Sequence, residues 1–289
     1  MKDIFRPLGE HAEAVLTVFG DLHVGNGFQK ARFLAERARI LAAPNRFCAF
    51  NGDIANTATP GSVEIPTEQD LTNTDQFIEV IELLRPLAAA GRILAYNDGN
   101  HEARLFKAAG ILRGAEICYV LGITSAYAGS IDRVKSPLEE AEDRRAGVKV
   151  PPVPRFTVER QYGIHLHMTL GKNAHDKPNH YVVYLTHGHG GGRTPGAGPN
   201  KLADLPRIFP ACDFYFMSHL HRATWLPGSY YHYDRRTKRG EWRLYHLVMT
   251  PAIKEWGGYE ERNVLPPGGD VMVRVRMGGY ARETGVEVA

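Results

Sequence analysis

Phe50-Asn51-Gly52-Asp53-Ile54-Ala55 decides how this chain is read, because it closes an apolar run on a Gly-Asp step and places a carboxylate at the C-terminal tip of a strand. Similar breaks flank it, each after its own apolar run: Gly20-Asp21-Leu22-His23 before it and Gly99-Asn100-His101-Glu102 after it. Thr186-His187-Gly188 and Ser218-His219-Leu220-His221 follow two further strand-like runs. Together these blocks offer Asp21, His23, Asp53, Asn100, His187, His219 and His221 as ligands, with His101 left free. Asp53, the hub of the set, reads as a ligand shared by two metal ions.

Ala14-Val15-Leu16-Thr17-Val18-Phe19 is a continuous apolar run of strand length, as expected of a strand buried on both faces. Residues 29–43 read as an amphipathic helix with Leu34, Ala38 and Leu41 toward the core. Residues 47–50 form a second strand, and a polar loop over 56–73 borders the site. Phe77, Ile81, Leu84 and Leu87 mark a second helix, which Pro86 is expected to end or kink. Residues 93–96 are the third strand. This βαβαβ order argues for a mainly parallel sheet, with ligands gathered outside the carboxyl ends of its strands. The stretch at about 111–179 reads as an insertion or cap within a single domain spanning 1–289. It includes a hairpin at 156–170 whose His165 and His167 are ordinary strand residues. Runs at 181–185, 214–217, 242–248 and 271–276 make the second half richer in strand, so a second sheet packs on the first.

With 289 residues, 43% of them hydrophobic, the chain can bury a substantial core at the upper size of one domain. No apolar run approaches the roughly 18 residues of a membrane-spanning helix, and the N-terminus lacks the apolar segment of a secretory signal. A cytoplasmic protein without a membrane partner is expected. Cys48, Cys118 and Cys212 are too scattered for a disulfide framework or a thiolate zinc site. A net charge of +3 is too mild to mark a nucleic-acid binder by itself.

Two divalent cations about 3.5–4 Å apart can clamp the attacking and leaving oxygens of a phosphoryl displacement and supply a hydroxide at neutral pH. Imidazoles mixed with a few carboxylates suit Mn, Fe, Zn or Ni better than Mg, which prefers oxygen ligands and retained waters.

The order D-x-H, G-D, G-N-H-E, H-G and H-x-H, running from Gly20 to His221, resembles the calcineurin-like metallophosphoesterase superfamily. The resemblance implies an α/β fold: a four-layer α/β sandwich, two mixed β-sheets flanked by helices, with a dinuclear metal site at strand C-terminal ends. It implies Asp21, His23 and His221 on one metal, Asn100, His187 and His219 on the other, and Asp53 bridging. His101 would stay off the metals and face the substrate. Ser218 stands where the family usually has Gly, which should alter a turn and not the coordination. The run 186–196 and Gly258-Tyr259-Glu260-Glu261-Arg262 look like a phage and prophage subgroup. The G-D-x-V-D-R-G block of phosphoprotein phosphatases is absent, Gly52-Asp53-Ile54-Ala55-Asn56-Thr57 standing there. The implied activity is hydrolysis of phosphate esters by a metal-bound hydroxide, with a phosphodiester favoured. DNA or RNA nuclease and broad phosphomonoesterase activities are the alternatives. A non-catalytic binding scaffold is the rival from another class.

His189 and Arg193, on the glycine-rich loop after His187, are candidate substrate contacts, and the Arg193 guanidinium could grip a phosphate bidentately. Arg235, Arg236, Lys238, Arg239 and Arg243, interleaved with Tyr230, Tyr231, Tyr233 and Trp242, have the composition of a single-stranded nucleic-acid surface or of a solvated hairpin tip.

Overall fold

The computed structural model describes residues 1–62, 69–129, 163–190, 196–235, 237–257 and 271–289. The first half runs β1 (Lys2–Pro7), β2 (Glu13–Phe19), α1 (Lys30–Leu41), β3 (Arg46–Asn51), α2 (Asn73–Ala89), β4 (Ile93–Asn97), α3 (Asn100–Ala109) and α4 (Arg113–Val120). The second runs β5 (Ile164–Leu170), β6 (Asn179–Thr186), α5 (Ala197–Ile208), β7 (Phe214–Met217), β8 (Thr224–Asp234), β9 (Arg239–Met249), β10 (Val273–Gly278) and β11 (Thr284–Val288).

The strands form two mixed sheets, ordered β1-β5-β6-β7-β9-β8 and β11-β10-β2-β3-β4. In the five-stranded sheet β2, β3 and β4 are parallel, as the βαβαβ reading requires, while β10 adds antiparallel to β2. Leu16, Val18, Ala49 and Leu94 of this sheet meet Leu166, Met168, Val183 and Phe214 of the other in one core. Phe33, Ile40, Val80, Leu84 and Ile117 lay α1, α2 and α4 on the outer face of the five-stranded sheet. Leu202 and Leu205 lay α5 on the other. The result is an α/β fold of four layers, helix, sheet, sheet and helix.

The local readings fail where a charge is buried. On α1 the buried residues are Phe33, Glu36 and Ile40, whereas Ala38 and Leu41 are exposed. Glu36 faces inward because Arg274, opposite Thr17 in the neighbouring strand, grips it through Nε (2.8 Å) and Nη2 (2.6 Å), and Thr17 donates to it at 3.0 Å. Burial alone would raise the Glu36 pKa, but Arg274 and Thr17 hold it below the ordinary value. The pair's contribution is therefore present at neutral pH and lost as pH falls through the carboxylate range. Both side chains are nearly inaccessible, at 3% and 2%. Arg274→Leu is expected to cost about 3–5 kcal/mol in denaturant unfolding, because it strands a buried carboxylate, and adding Glu36→Leu should recover most of the loss. A single variant as stable as the parent would show that the pair does not hold α1.

Pro86 does not end α2, which continues to Ala89 and closes Ala90 N–H onto the Pro86 carbonyl at 3.1 Å. The proline forfeits only the bond to Glu82, on the exposed side. Of the stretch at 111–179, α4 packs in the helical layer and β5 pairs with β1 and β6 inside the sheet. Of the hairpin expected at 156–170, residues 164–170 form β5 between β1 and β6, and residues 130–162 lie outside those described. Among the described residues no helix is long and apolar enough to cross a membrane, and all three cysteines are buried and free.

Candidate metal centre

Asp21 and His23 follow β2, Asp53 follows β3, Asn100 follows β4, His187 follows β6, and His219 and His221 follow β7. The facing ends of the two sheets thus bring all seven sequence-predicted ligands together with His101. Backbone pairing continues past the strands, Asp21 N–H to the Gly52 carbonyl (3.0 Å) and His23 N–H to the Asp53 carbonyl (3.0 Å), so the two loops advance in register. Asn51 ties one sheet to the other by donating to the Thr186 carbonyl and to Ser218 Oγ, both at 2.8 Å.

The close approach needs the two glycines of the Gly-Asp and Gly-Asn steps. Gly52 has φ +88°, and a Cβ there would lie 2.5 Å from His187 Nδ1, while one at Gly99 would overlap the Asp53 carboxylate. Asp21, His23, Asp53, His219 and His221 themselves hold φ between 50° and 74°. Non-glycine residues in this left-handed region cost energy, and such costs concentrate at functional sites.

Ligands held at about 2.0–2.2 Å from a common divalent ion sit roughly 2.9–3.5 Å from one another. Four separations match: Asp21 Oδ1 to His221 Nε2 is 3.4 Å, His23 Nε2 to His221 Nε2 is 3.1 Å, His187 Nε2 to Asp53 Oδ2 is 3.1 Å and His187 Nε2 to Asn100 Oδ1 is 2.9 Å, while His23 Nε2 to Asp21 Oδ1 is longer at 3.9 Å. Groups of possible ligands form at Asp21, His23 and His221, at Asp53, His187 and His219, and at His23, Asp53 and His101.

The hydrogen-bond pattern points the same way. His23 Nδ1 donates to Asn56 Oδ1 (2.8 Å) and His187 Nδ1 to the Asn51 carbonyl (2.8 Å), which leaves each neutral ring with its lone pair on Nε2, aimed into the cluster. The His187 lone pair would then face a carboxylate oxygen, an arrangement that calls for a cation between them. Asp21 Oδ1 is buried with no hydrogen-bond partner, its other oxygen accepting from the His219 amide at 2.8 Å. Without metal a proton fills the gap at His187: burial opposes it, but the Asp53 charge and hydrogen bond push the pKa up to about 10. Burial and His101 and His221 hold His23 well below the ordinary range, and burial and His187 lower His219 to about 4. Neutral imidazole is the form that binds metal.

One positioning residue escaped the sequence reading. Glu102, at the third position of α3, accepts from the amides of Gly99 (2.9 Å), Asp53 (3.0 Å) and Ile54 (2.9 Å), pinning the β3 loop to the helix start. Burial, with the Asp53 and Asp98 charges, raises its pKa to about 7. The Gly-x-x-Glu spacing of a capping box was the available signal. Ser218 turns its hydroxyl toward Asn51 and Thr250 Oγ1 (2.7 Å) in the space Gly20 leaves open.

His189 is exposed and lines a cavity of about 480 Å³ that reaches Asn100, Lys107, Tyr127 and His187. Arg193 and the run 258–262 lie outside the described residues. In the β8–β9 hairpin Tyr231 stands directly opposite Trp242, and Tyr230 opposite Arg243. Strand alternation therefore puts Tyr231, Tyr233 and Trp242 on one face and Arg239, Glu241 and Arg243 on the other, where Arg243 is already paired with Glu241 at 2.7 Å. Tyr230 shares the face of Arg243, whereas Tyr231, Tyr233 and Trp242 stand on the opposite face from Arg239 and Arg243.

No protein-family model matches the chain, and no curated protein does. Among solved structures it is similar to a Streptococcus pneumoniae protein described as a predicted phosphoesterase (11% identity, 96% of this chain and 99% of that one, TM-score 0.36). It is also similar to zinc-complexed Vps29 from Entamoeba histolytica (10%, 95% and 98%, TM-score 0.35). A third is the calcineurin-like phosphoesterase YfkN from Bacillus subtilis (10%, 96% and 90%, TM-score 0.41). Likeness at this distance carries no conclusion about activity, which rests on the site itself.

Proposed function

We propose that this chain is a dinuclear metal-dependent phosphoesterase of the calcineurin-like superfamily, with a phosphodiester as the favoured substrate. The observation that carries the reading is four ligand-atom spacings, Asp21 to His221, His23 to His221, His187 to Asp53 and His187 to Asn100, each in the range of a coordination-shell edge and all at the facing ends of the two sheets. Asp21, His23 and His221 would hold one ion, Asn100, His187 and His219 the other, and Asp53 both. Bound there, the two ions supply Lewis-acid charge and activate water for attack on phosphorus.

The chain's own groups do the rest. His101 Nδ1 donates to the Asn56 carbonyl at 2.6 Å, which turns Nε2 toward the centre, and the ring protonated on both nitrogens would deliver the Nε2 proton to the leaving oxygen. Glu102 keeps the Asp53 loop and the start of α3 in fixed relation, so His101 and the ligands keep their spacing. The cavity beside His187 and Asn100 takes the ester substituent, with His189 at its edge and Arg193 assigned to a non-bridging or distal phosphate oxygen. The run 186–196 with Asn200-Lys201-Leu202, and Gly258-Tyr259-Glu260-Glu261-Arg262, look like a phage and prophage subgroup and make that the nearest grouping we propose.

Metal-stripped protein should be inactive, and activity should return with two equivalents of Mn, Fe, Zn or Ni. Assays should compare a di-ester with a mono-ester chromogenic substrate, cyclic nucleotides, and single- and double-stranded nucleic acid, with the di-ester turned over fastest. Faster cleavage of nucleic acid would replace this reading with a nuclease. Two bound equivalents with no ester hydrolysed would leave a metal-binding scaffold.

A further inference from the structure

Helix α3 begins at the candidate metal centre and carries a cation that no acid among the described residues neutralises. Counted from Asn100, the spacings i+3, i+4 and i+7 put Ala103, Arg104 and Lys107 on one stripe of its surface. Ala103 and Lys107 line the cavity beside Asn100 and His187, whereas Arg104, half-buried, turns to the other side, toward His101. Among the described residues its guanidinium has a single hydrogen-bonding neighbour, His101 Nδ1, at 3.3 Å from Nη1. That nitrogen already gives its proton to the Asn56 carbonyl at 2.6 Å, so it has no lone pair to offer Arg104. Two donors face each other, and the guanidinium is left with neither acceptor nor counter-charge.

We propose that Arg104 binds a second phosphate, carried by the leaving alcohol of the substrate, a reading that rests on the phosphoesterase assignment of the neighbouring centre. His101 Nε2 faces that centre, and Nδ1 lies across one ring carbon from it, so Arg104 stands an imidazole's width from the point where the leaving oxygen takes its proton. Helical side chains tilt toward the N-terminus of their helix, which carries the guanidinium back toward Asn100 and His101 until the imidazole stops it. With that ring between them, the two phosphates are separated by a sugar or a comparable short polyol, not by the single oxygen of an anhydride. The guanidinium suits the task, because its planar fork gives two parallel hydrogen bonds to a phosphate and keeps its charge throughout the working pH range.

The stripe on α3 sorts the two ends of such a substrate. Ala103, Lys107, Leu112 and Tyr127 wall the cavity on one side, which takes the substituent that stays on phosphorus, while His101 and Arg104 stand on the side of the departing alcohol. A cavity of about 480 Å³ is of the size that holds a nucleoside-sized group. The substrate class is therefore a diester of a phosphorylated alcohol, a nucleotide or a sugar phosphate. An arginine with no ligand to meet would extend into water and not rest against another N–H donor.

The test uses full-length, metal-loaded protein and pairs of ligands that differ only in the second phosphate. Hydrolysis of a thymidine dinucleotide is compared with that of the same dinucleotide carrying a terminal phosphate at either end. Binding of thymidine bisphosphate is compared separately with that of the two thymidine monophosphates, and glycerol bisphosphate with glycerol phosphate shows whether the nucleoside contributes. The parent should favour the member with the extra phosphate by about ten- to hundredfold in kcat/KM and in Kd, the range of charge-assisted hydrogen bonds. Arg104→Ala should bring both ratios close to one, and Arg104→Lys should keep part of them. A parent without the preference would overturn the assignment. So would a ratio lost in Lys107→Ala but kept in Arg104→Ala, which puts the second phosphate in the cavity, or an equal loss for both members of every pair, which makes Arg104 a support of the His101 ring. If no ester is cleaved yet the binding ratio falls in Arg104→Ala, the hydrolase reading fails and the phosphate site stands; esters cleaved with no such ratio give the reverse.

Discussion

Asp53→Asn is expected to abolish detectable turnover and to empty or half-empty both metal positions, while the protein stays folded. Asparagine keeps the shape of the side chain and can still accept from the His101 amide, which donates to Asp53 Oδ1 at 2.9 Å. What it removes is the negative charge, for which His101 at 3.6 Å and His187 at 3.1 Å both compete. Altering a residue that merely orients a ligand costs roughly 10–100-fold in metal affinity, and loss of a shared ligand should exceed that at both ions. His23→Ala, by contrast, should mainly disturb one ion. Two full-occupancy metals in Asp53→Asn would sink the bridging assignment.

The same substitution has a proton-linked signature. Burial works against charge on both partners, yet His101 and His187 hold the Asp53 pKa well below its ordinary range, and Asp53 lifts His187 to about 10. At neutral pH the metal-free pair is therefore ionised, and a metal entering at His187 Nε2 must displace a proton. Because the His187 pKa is raised, that proton is held below the folded value and is shed as pH rises through about 10, so metal affinity should rise with pH over the neutral and mildly alkaline range. Calorimetry in buffers of different ionisation enthalpy should record this release in the parent and less of it in Asp53→Asn. Equal release in both would mean that His187 is not the protonated partner.

How much could be read beforehand differs by level. The candidate ligands could be picked out because each is a polar break at the end of an apolar run, and parallel strands deliver such breaks to one end of a sheet. Strands β2, β3, β4, β6 and β7 were readable for the same reason. What stayed hidden depends on pairing across long sequence separations. β1 looks like an unpatterned N-terminus until β5 pairs with it, 162 residues away, Lys2 opposite Ile164. The buried Glu36 disguised the inner face of α1, because its partner Arg274 comes from the far end of the chain. Glu102 sat inside a recognised block, but its task, binding the amides of another loop, appears only in three dimensions. The stretch 230–243 is the hairpin that one of its two readings gave, β8 pairing with β9, and because residues adjacent in sequence face opposite ways on a strand, Tyr231, Tyr233 and Trp242 stand on the other face from Arg239 and Arg243.

His101→Ala is expected to leave both metals in place and to lower kcat by about 10²–10⁴-fold, the range for a positioned proton donor. Its ring is located by neighbours rather than by metal. Nδ1 is fixed on the Asn56 carbonyl, Thr57 Oγ1 donates to the His101 carbonyl, and the His23 ring lies edge-on at 4.5 Å. Nε2 is left turned toward Asp53 Oδ2 at 3.6 Å, a longer approach than the 3.1 Å of His187. The group at His23, Asp53 and His101 could itself take an ion, so metal content distinguishes the two roles. If His101 protonates the leaving oxygen, esters of acidic alcohols need the proton less, and the deficit should shrink as the leaving group improves. A deficit of equal size for every leaving group would assign His101 to charge stabilisation on the phosphoryl oxygens instead. Loss of metal with unchanged turnover per remaining metal pair would make it a ligand, and the catalytic proton would then have to come from the exposed His189 side of the cavity.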